Sequence, residues 1–378
     1  MILVATTGGG SLDRYSQELA TRLDIPKLYT DVYQSIAERF NVPIASPAAA
    51  SALYGDVRFV QKLRGLDGPV HLPNHHLGRY GRFLSVPYLI TVHDLIRYFD
   101  MHRKRPLIHR PNLRDRAYLR LDIAGIRAAT AIIAVSHTTK YDLVEHLGIP
   151  EDRIHVVYEG ADHQRFRPAE ARPFEFPYIL FVGSEHPRKN LGTLFQAFAR
   201  LKQDGAYPEL KLVKVGKPGG SEDRFRERTL RQLRQLGIES DVILAGFVAD
   251  EDLPAYYSGA VCTVMPSLYE GFGLPVVEAM ACGSPVIVSS SGSLPEVAGD
   301  AALVVSPRDV EGLKSAMSRL LQDPRLAGEL RTRGLERASL FDWDRAARET
   351  EMVYQEVELQ LSTRGGAPLS TFEPVGGV

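Results

Sequence analysis

The chain has 378 residues with a formal net charge of −1, and 24% of its residues are charged. This length is enough for two or three domains with cores of their own, and the near-neutral charge gives no global bias toward nucleic acid. The two cysteines, Cys262 and Cys282, both lie in apolar runs. Their setting favours buried free thiols in a reducing compartment over a disulfide.

The N-terminal segment MILVATTGGG has an apolar run of four residues and no basic residue. We therefore expect it to form a first β-strand rather than a signal peptide. No run in the chain approaches the ~20 apolar residues that a membrane-spanning helix needs. The sequence thus predicts a cytoplasmic location.

Short apolar runs alternate with amphipathic segments of helical length, a pattern typical of parallel sheets with crossover helices. The strands predicted in the first half are Ile2–Thr6, Pro69–Leu72, Tyr88–Val92, Ala131–Val135 and Ile154–Val157. The strands predicted in the second half are Tyr178–Val182, Leu210–Val215, Val242–Ala245, Ala260–Met265, Pro285–Val288 and Ala302–Val305. Each half therefore predicts one open α/β sheet.

Residues 166–177 carry three prolines and divide the two series of strands. They are the predicted linker between an N-terminal domain, residues 1–165, and a C-terminal domain, residues 178–341. Residues 342–361 are predicted to form a long helix after the second domain. Residues 362–378 are rich in Gly, Pro and Ser, and we expect them to be disordered.

Two loops of the first domain follow predicted strands. Gly8-Gly9-Gly10 follows the first strand, but its spacing is not GxGxxG, which argues against an NAD-binding fingerprint. The segment TVHDL places His93 and Asp94 at the end of a later strand. Ligands of open α/β domains bind at such strand ends, so His93 is a candidate functional residue.

A strongly basic stretch follows His93. Residues 97–120 hold eight Lys or Arg and two Asp, with apolar residues interleaved among the charges. One interpretation is a surface for anionic lipid, where each Lys or Arg contributes ~1 kcal/mol, with Arg103, Lys104 and Arg105 as its candidate residues. The alternative is a solvated basic loop whose apolar positions face the core.

Residues 183–190 read GSEHPRKN and lie between a predicted strand and a predicted helix. This places Arg188 and Lys189 at the carboxyl edge of a sheet, where ligands bind. Cations at a helix start oppose the helix dipole, so the pair indicates binding of phosphate rather than a structural role. Asn190 is positioned to be the N-cap of the helix that follows.

The most informative stretch is residues 267–283, SLYEGFGLPVVEAMACG. Pro275 suits the first turn of a helix and Gly283 suits the residue after its last turn, so the pattern predicts a helix from Pro275 to Cys282. Glycines in the preceding loop allow the backbone to approach a ligand closely. The free N–H groups of the helix start favour an anion, most naturally a phosphate.

Two carboxylates flank this predicted phosphate site. Glu270 precedes the helix, and Glu278 lies about one turn (~5.4 Å) further along its axis. Like charges repel, so these side chains would accept hydrogen bonds from hydroxyl groups on either side of a phosphate. A sugar at one end and a ribose at the other meet that requirement.

The stretch resembles the signature of glycosyltransferase family 4, and similar segments extend from about residue 1 to residue 345. The resemblance implies an α/β protein of the GT-B fold, with two Rossmann-like domains facing across a cleft. It implies a retaining enzyme that uses a nucleotide-diphosphate sugar. It also implies that Glu270 contacts the donor sugar and that Glu278 contacts the ribose.

The same resemblance assigns roles to other residues. Lys189 would grip the diphosphate, with Arg188 substituting for an arginine that often stands where this chain has Ser184, and His93 would face the sugar across the cleft. The further donor-binding residues that the resemblance implies are Gly9 and Gly10 beside the diphosphate, Phe247 and Val248 with their backbone at the nucleobase, and the loop residues Gly271, Phe272, Gly273 and Leu274.

Two acidic pairs, Asp250/Asp252 and Asp342/Asp344, mimic the metal-binding DxD of other glycosyltransferases. Both precede helical runs, where Asp is a normal capping residue. We therefore predict that they are caps, that no metal ion takes part, and that the protein needs no cofactor besides its donor substrate.

The segments TVHDL, PRKNL and SLYEGFGLPVVEAMACG are most similar to bacterial mannosyltransferases of polysaccharide assembly. GDP-mannose is therefore the favoured donor, with UDP-glucose or UDP-N-acetylhexosamine as alternatives. The expected acceptor is a glycan or a polyprenyl-linked sugar. If the basic stretch binds lipid, the protein would be peripheral on the inner face of the membrane.

Other classes remain open at this point. A sugar-nucleotide epimerase of the same fold would need acid and base carboxylates in both domains, and a phosphorylase would need a pyridoxal lysine. Neither signature is apparent in the sequence. A nucleotide-sugar sensor without enzymatic activity is the third alternative.

Overall fold

The computed structural model describes residues 1–8, 10–32, 47–102, 106–219 and 222–363. The predictions for Gly9, for Arg103, Lys104 and Arg105, and for the tail from residue 364 onward concern residues outside these ranges. None of the described helices combines the length and the apolar character that crossing a bilayer requires.

The first sheet has six parallel strands. They are β1 (Ile2–Thr6), β2 (Lys27–Thr30), β3 (Val70–Leu72), β4 (Tyr88–Val92), β5 (Ala131–Ala134) and β6 (Ile154–Val156), in the order β2-β1-β3-β4-β5-β6. Its helices are α1 (Ser11–Arg22), α2 (Pro47–Arg64), α3 (Gly78–Gly81), α4 (Ile96–His102), α5 (Leu113–Ala128) and α6 (His137–Leu147). Strands β1, β4 and β5 are buried along their whole length, as expected for a parallel sheet covered on both faces.

The second sheet also has six parallel strands. They are β7 (Tyr178–Val182), β8 (Lys211–Val215), β9 (Val242–Gly246), β10 (Cys262–Met265), β11 (Val286–Ser289) and β12 (Ala302–Val305), in the order β12-β11-β10-β7-β8-β9. Its helices are α7 (Leu191–Gln203), α8 (Glu222–Leu236), α9 (Leu253–Gly259), α10 (Leu274–Ala281), α11 (Leu294–Ala298), α12 (Val310–Gln322) and α13 (Pro324–Ala338). The strand order reverses between β7 and β10, and ligands of doubly wound sheets bind at such a switch point.

A last helix, α14 (Trp343–Thr363), packs against the first sheet rather than the second. Trp343 and Tyr354 are buried there in one cluster with Tyr15 of α1. The Tyr354 hydroxyl also bonds to Nδ1 of His71, at 2.6 Å. The helix therefore completes the hydrophobic core of the first domain.

The predicted strands are all present, and no bound differs by more than two residues. Strand β2 was missed because it is a short edge strand, paired only with β1, and no part of it is strongly apolar. Both cysteines are buried free thiols, which confirms that prediction. The last helix extends to Thr363, so it includes the first two residues of the predicted tail.

The predicted helix caps give a mixed result. Asp342 caps α14, because its carboxylate accepts from the N–H groups of Asp344 and Arg345. Asn190 precedes α7 but adopts a left-handed conformation (φ 58°), and its side chain makes no capping bond to the helix amides. Its amide instead donates to backbone carbonyls, including that of Pro266. Asn190 thus occupies the predicted N-cap position, but its side chain does not cap the helix.

The two domains meet closely at the loop after β10. Tyr269 belongs to the hydrophobic core of the first domain, and its hydroxyl donates to Asp142 of α6. The Gly271 carbonyl accepts from the Ser136 hydroxyl at 2.7 Å. A Cβ atom added to Gly271 would lie 1.8 Å from the carbonyl oxygen of His93, so glycine is required for this contact.

We expect Gly271→Ala to open the contact between the domains, because overpacking at a tight contact costs about 1–3 kcal/mol. Small-angle scattering should show a larger radius of gyration than for the wild type. Gly328→Ala is the control, because an added Cβ there meets nothing within 4 Å and alanine favours the helix. That variant should keep the wild-type radius and melt slightly higher. An unchanged radius for Gly271→Ala would contradict the contact.

Candidate functional site

The loops after β7 and β10 meet at the switch point of the second sheet and form an ionic cluster. Arg188 Nη1 lies 2.6 Å from one carboxylate oxygen of Glu270, and Lys189 Nζ lies 2.7 Å from the other. The Ser267 hydroxyl also donates to Glu270, at 2.7 Å. The structure therefore brings Glu270 together with two cations that lie 82 and 81 positions before it in the chain.

Glu270 is an ionised carboxylate at neutral pH. Burial by itself would raise the pKa of Glu270, but the positive charges of Arg188 and Lys189 outweigh burial and hold this pKa at about 2. The group therefore acts as a hydrogen-bond acceptor and not as an acid. The cluster of two cations and one carboxylate keeps one positive charge in excess, which suits an anionic ligand.

Helix α10 begins directly after this loop. Gly273 precedes it with a positive φ of 107°, and Pro275 lies in its first turn. Gly283, with a φ of 71°, follows the helix. The predicted start, length and end of this helix are confirmed within one residue.

Glu278 on α10 is buried and faces the first domain. Its carboxylate accepts from Arg14 Nη1 of α1 at 3.1 Å and from the Tyr257 hydroxyl at 3.0 Å. Burial raises the pKa of Glu278, although the charge of Arg14 opposes the shift. Arg14 and Tyr257 were missed by the sequence analysis, because each contact joins residues far apart in the chain.

A cavity of about 480 Å³ lies between the domains beside Glu278, within the size range of ligand pockets. Residues from both domains line it, among them Gly8, Gly10, Ser11, Arg14, Asp250, Leu274, Pro275 and Glu278. Glu270 is not one of the lining residues. The two predicted carboxylates are therefore in different settings, one open to the cavity and one enclosed by cations.

Asp250 does not cap a helix. Its carboxylate lies 3.5 Å from Arg14 and 3.3 Å from Arg165, and Asp252, which precedes α9, makes no side-chain capping bond. The prediction that this pair consists of caps was therefore wrong. Within the described ranges, no group of three or more His, Cys, Asp or Glu side chains could hold a metal ion. Metal independence stays a prediction.

His93 is buried at the end of β4, and both of its ring nitrogens bond to protein oxygens. Nδ1 lies 2.7 Å from the Glu159 carboxylate, and Nε2 lies 2.9 Å from the Pro73 carbonyl. His93 does not line the cavity. Glu159 was missed by the sequence analysis, because nothing in the local sequence links it to His93.

Phe247 and Val248 follow β9 at the edge of the second sheet, and neither lines the cavity. The side chain of Phe247 is 70% exposed, with Lys217 Nζ at 5.4 Å from the ring centroid. Val248 is half-buried against the core of the second domain. The exposed ring leaves a flat apolar surface at the end of the strand.

The described part of the basic stretch belongs partly to the core. Phe99 and Leu107 are buried in the first domain, and Arg97 pairs with Asp100 at 2.6 Å. The carbonyl of Leu107 accepts from the Arg188 N–H at 2.7 Å. This stretch therefore supports the loop that carries Arg188 and Lys189.

Two family models match the chain. The model described as "Glycosyltransferase Family 4" matches residues 37–165, and the model described as "Glycosyl transferases group 1" matches residues 162–338. The two matches overlap at residues 162–165; the first covers β3 to β6, and the second covers β7 to β12.

Curated relatives include two mannosyltransferases. The chain is 36% identical to the O-antigen chain mannosyltransferase B of Escherichia coli, over 61% of this chain and 62% of the relative. It is 34% identical to the MMP alpha-(1->4)-mannosyltransferase of Mycolicibacterium hassiacum, over 61% of this chain and 54% of the relative. The matched regions thus span less than two thirds of these relatives' lengths.

The fold is also found in solved structures. Sucrose-phosphate synthase from Thermosynechococcus elongatus superposes with a TM-score of 0.75 at 24% identity, over 96% of this chain and 99% of that chain. The two six-stranded parallel sheets are thus the two Rossmann-like domains of the GT-B fold. The chain therefore carries a domain of the Glycosyltransferase Family 4 model, followed by a domain of the Glycosyl transferases group 1 model.

Proposed function

We propose that the protein is a retaining, metal-independent glycosyltransferase that transfers mannose from GDP-mannose to a glycan or lipid-linked acceptor. The observation that carries the proposal is the switch-point site, where Arg188, Lys189 and Glu270 meet beside the start of α10. This arrangement would supply the positive charge of the two side chains and the positive end of a helix dipole to a departing diphosphate. Neutralising that charge is the main electrostatic demand of the reaction.

In this proposal, the donor extends from the cavity toward the ion cluster. Its ribose hydroxyls would donate to Glu278, which already accepts two hydrogen bonds from Arg14 and Tyr257. Its diphosphate would lie at the start of α10, beside the positive end of the helix dipole. Its sugar would meet Glu270 and the amides of the Gly271–Gly273 loop.

In the proposed reaction, the bond between the anomeric carbon and the diphosphate oxygen breaks while the acceptor oxygen bonds to the same carbon from the same face. The acceptor proton passes to an oxygen of the departing phosphate. Glu270 is an ionised acceptor held by two cations, so it positions the sugar rather than supplying a proton.

The choice of mannose is supported by the names of relatives that are mannosyltransferases. A thermal shift panel of GDP-mannose, UDP-glucose and UDP-N-acetylglucosamine tests it. A donor at 100 times its dissociation constant stabilises the protein by about 2.7 kcal/mol, and GDP-mannose should give the largest shift. A larger shift with a UDP-sugar would make that sugar the preferred donor in place of GDP-mannose. No shift with any of the three nucleotide sugars would overturn the proposed function.

A cytoplasmic protein that contacts the inner face of the membrane also belongs to this proposal. The membrane contact is supported by the basic stretch, in which the side chain of Leu113 is 87% exposed. The burial of Phe99 and Leu107 limits the lipid-facing part to fewer residues than the sequence suggested.

Glu278→Gln should weaken nucleotide binding by about 1.5–3 kcal/mol, because a carboxylate that accepts from two ribose hydroxyls loses its charge-assisted bonds. Isothermal titration with GDP measures the change. Glu329→Gln, which removes an exposed carboxylate of α13 paired with Arg325, is the control and should bind as the wild type does. Equal affinity in the Glu278 variant would disprove the ribose assignment.

Lys189→Ala should lower kcat more than it weakens donor binding, because the charge on the diphosphate grows as the glycosidic bond breaks. Steady-state kinetics at saturating donor, together with a measured Kd, separate the two effects. Lys314→Ala removes a surface lysine that pairs with Asp204, and its kcat should not change. Wild-type turnover by the Lys189 variant would exclude the role in transfer.

Transfer should persist in EDTA, because the described residues supply cations to the diphosphate without a metal ion. Product formation is measured after dialysis against EDTA and again after addition of Mg²⁺ or Mn²⁺. Complete loss of activity that either metal restores would contradict metal independence.

A further inference from the structure

Arg14 of α1 reaches across the cavity to the carboxylate of Glu278. Its Nη1 lies 3.1 Å from Glu278 Oε1, and its Nη2 lies 3.5 Å from Asp250 Oδ2. Both acidic residues belong to the second domain, and all three residues line the cavity. Arg14 is therefore a part of the first domain that contacts the proposed ribose site directly.

The guanidinium of Arg14 is held on several sides. Besides its two carboxylate partners, it lies 5.5 Å from the ring centroid of Phe166, which is buried. A cation over an aromatic face is attracted by the quadrupole of the ring. The side chain is 24% exposed, so part of it remains open to the cavity. The first domain thus presents a fixed positive charge at the cavity wall.

The remaining acceptor capacity of Glu278 matches the two hydroxyl groups of a ribose. An ionised carboxylate can accept about four hydrogen bonds, two on each oxygen. Arg14 uses one position on Oε1, and the Tyr257 hydroxyl uses one on Oε2, at 3.0 Å. One position is left on each oxygen, so the ribose can bind without displacing either partner. Protonation of the carboxyl would remove one of these positions, so the ribose needs the charged form.

Burial works against this charged form. The Glu278 side chain is 7% exposed, and burial raises its pKa. The charge of Arg14 is the largest effect in the opposite direction, followed by the Tyr257 hydrogen bond, whereas the charge of Asp250 adds to the effect of burial. Tyr257 and Cys282 also face the carboxylate, and both stay neutral at pH 7 because burial raises their own pKa values. Arg14 therefore supplies the positive charge that favours ionised Glu278.

We infer that Arg14 is a positioning residue that keeps the Glu278 carboxylate charged and oriented for the ribose of the donor. The inference rests on the proposed function for the identity of the ligand. Its consequence is a donor affinity that depends on pH. The affinity should fall as the pH drops through the pKa of Glu278, and without Arg14 this fall should begin at a higher pH.

Arg14→Gln tests the inference through the affinity for GDP-mannose between about pH 5.5 and pH 8.5. This ligand is chosen because both of its phosphates are diesters, whereas the terminal phosphate of GDP itself titrates in that range. Isothermal titration should show binding weakened about tenfold or more at the lowest pH, because the uncompensated carboxyl then takes up a proton. The difference from the wild type should shrink as the pH rises, since Glu278 is then ionised in both proteins.

Further variants separate the charge of Arg14 from a direct contact with the donor. Arg14→Lys keeps the positive charge and should restore much of the wild-type pH dependence. In a Glu278→Gln background there is no carboxylate to ionise, so Arg14→Gln should change the affinity by the same factor at every pH. Arg200→Gln is the matched control, because it removes a surface arginine that pairs with Glu311 and does not line the cavity. That variant should bind as the wild type does throughout.

The charge of Glu278 can also be followed without any ligand. Carbon-13 NMR of protein labelled at the glutamate carboxyl carbons, with Glu278→Gln to assign the signal, measures the pH at which Glu278 ionises. This pH should be higher in Arg14→Gln than in the wild type, because the opposing charge is lost. Arg14→Lys should lie between the two.

Ionisation of Glu278 at the same pH in the wild type and in Arg14→Gln would overturn the inference. An unchanged affinity, or a loss of affinity that is the same at every pH, would also overturn it, because Arg14 would then not act through Glu278. The NMR result does not depend on a nucleotide sugar. If GDP-mannose does not bind but Glu278 ionises at a higher pH in the variant, the proposed function fails while the effect of Arg14 on Glu278 stands.

Discussion

The ion cluster of Glu270 with Arg188 and Lys189 is the interaction on which the site depends. A buried carboxylate with one cation removed would be left poorly compensated, and such a loss costs several kcal/mol. The two loops that carry these residues are therefore held together at the switch point of the second sheet. The same pairing concentrates positive charge at the proposed diphosphate site, so stability and the proposed function would share one set of contacts.

The first domain contributes to this site mainly through its contacts with the loop after β10. Tyr269 packs into the first-domain core, and the Gly271 backbone lies against the His93 carbonyl. Arg14 and Glu278 join the domains at the cavity. The position of the loop that carries Glu270 therefore depends on contacts with the first domain as well as on the ion cluster.

Most of the architecture could be predicted from the sequence, because apolar strands, helix-stopping glycines and the segment around Pro275 are local signals. Helix α10 and the two carboxylates, Glu270 and Glu278, were predicted in this way. Arg14, Tyr257 and Glu159 could not be, since their roles arise from contacts between elements far apart in the chain. Asp250 was misassigned for a related reason. An Asp just before a helix is usually an N-cap, and only the tertiary structure shows that its carboxylate pairs with arginines from other elements.

The return of α14 to the first domain has a consequence for biosynthesis. Trp343, Tyr354 and Val357, with three further residues of α14, complete a core whose remaining buried members lie within the first 160 residues. A ribosome must therefore make the whole second domain before the first can bury this surface. Domains commonly fold in order from the N-terminus during synthesis. Here the C-terminal domain, whose strands are contiguous from β7 to β12, is the unit that can finish first.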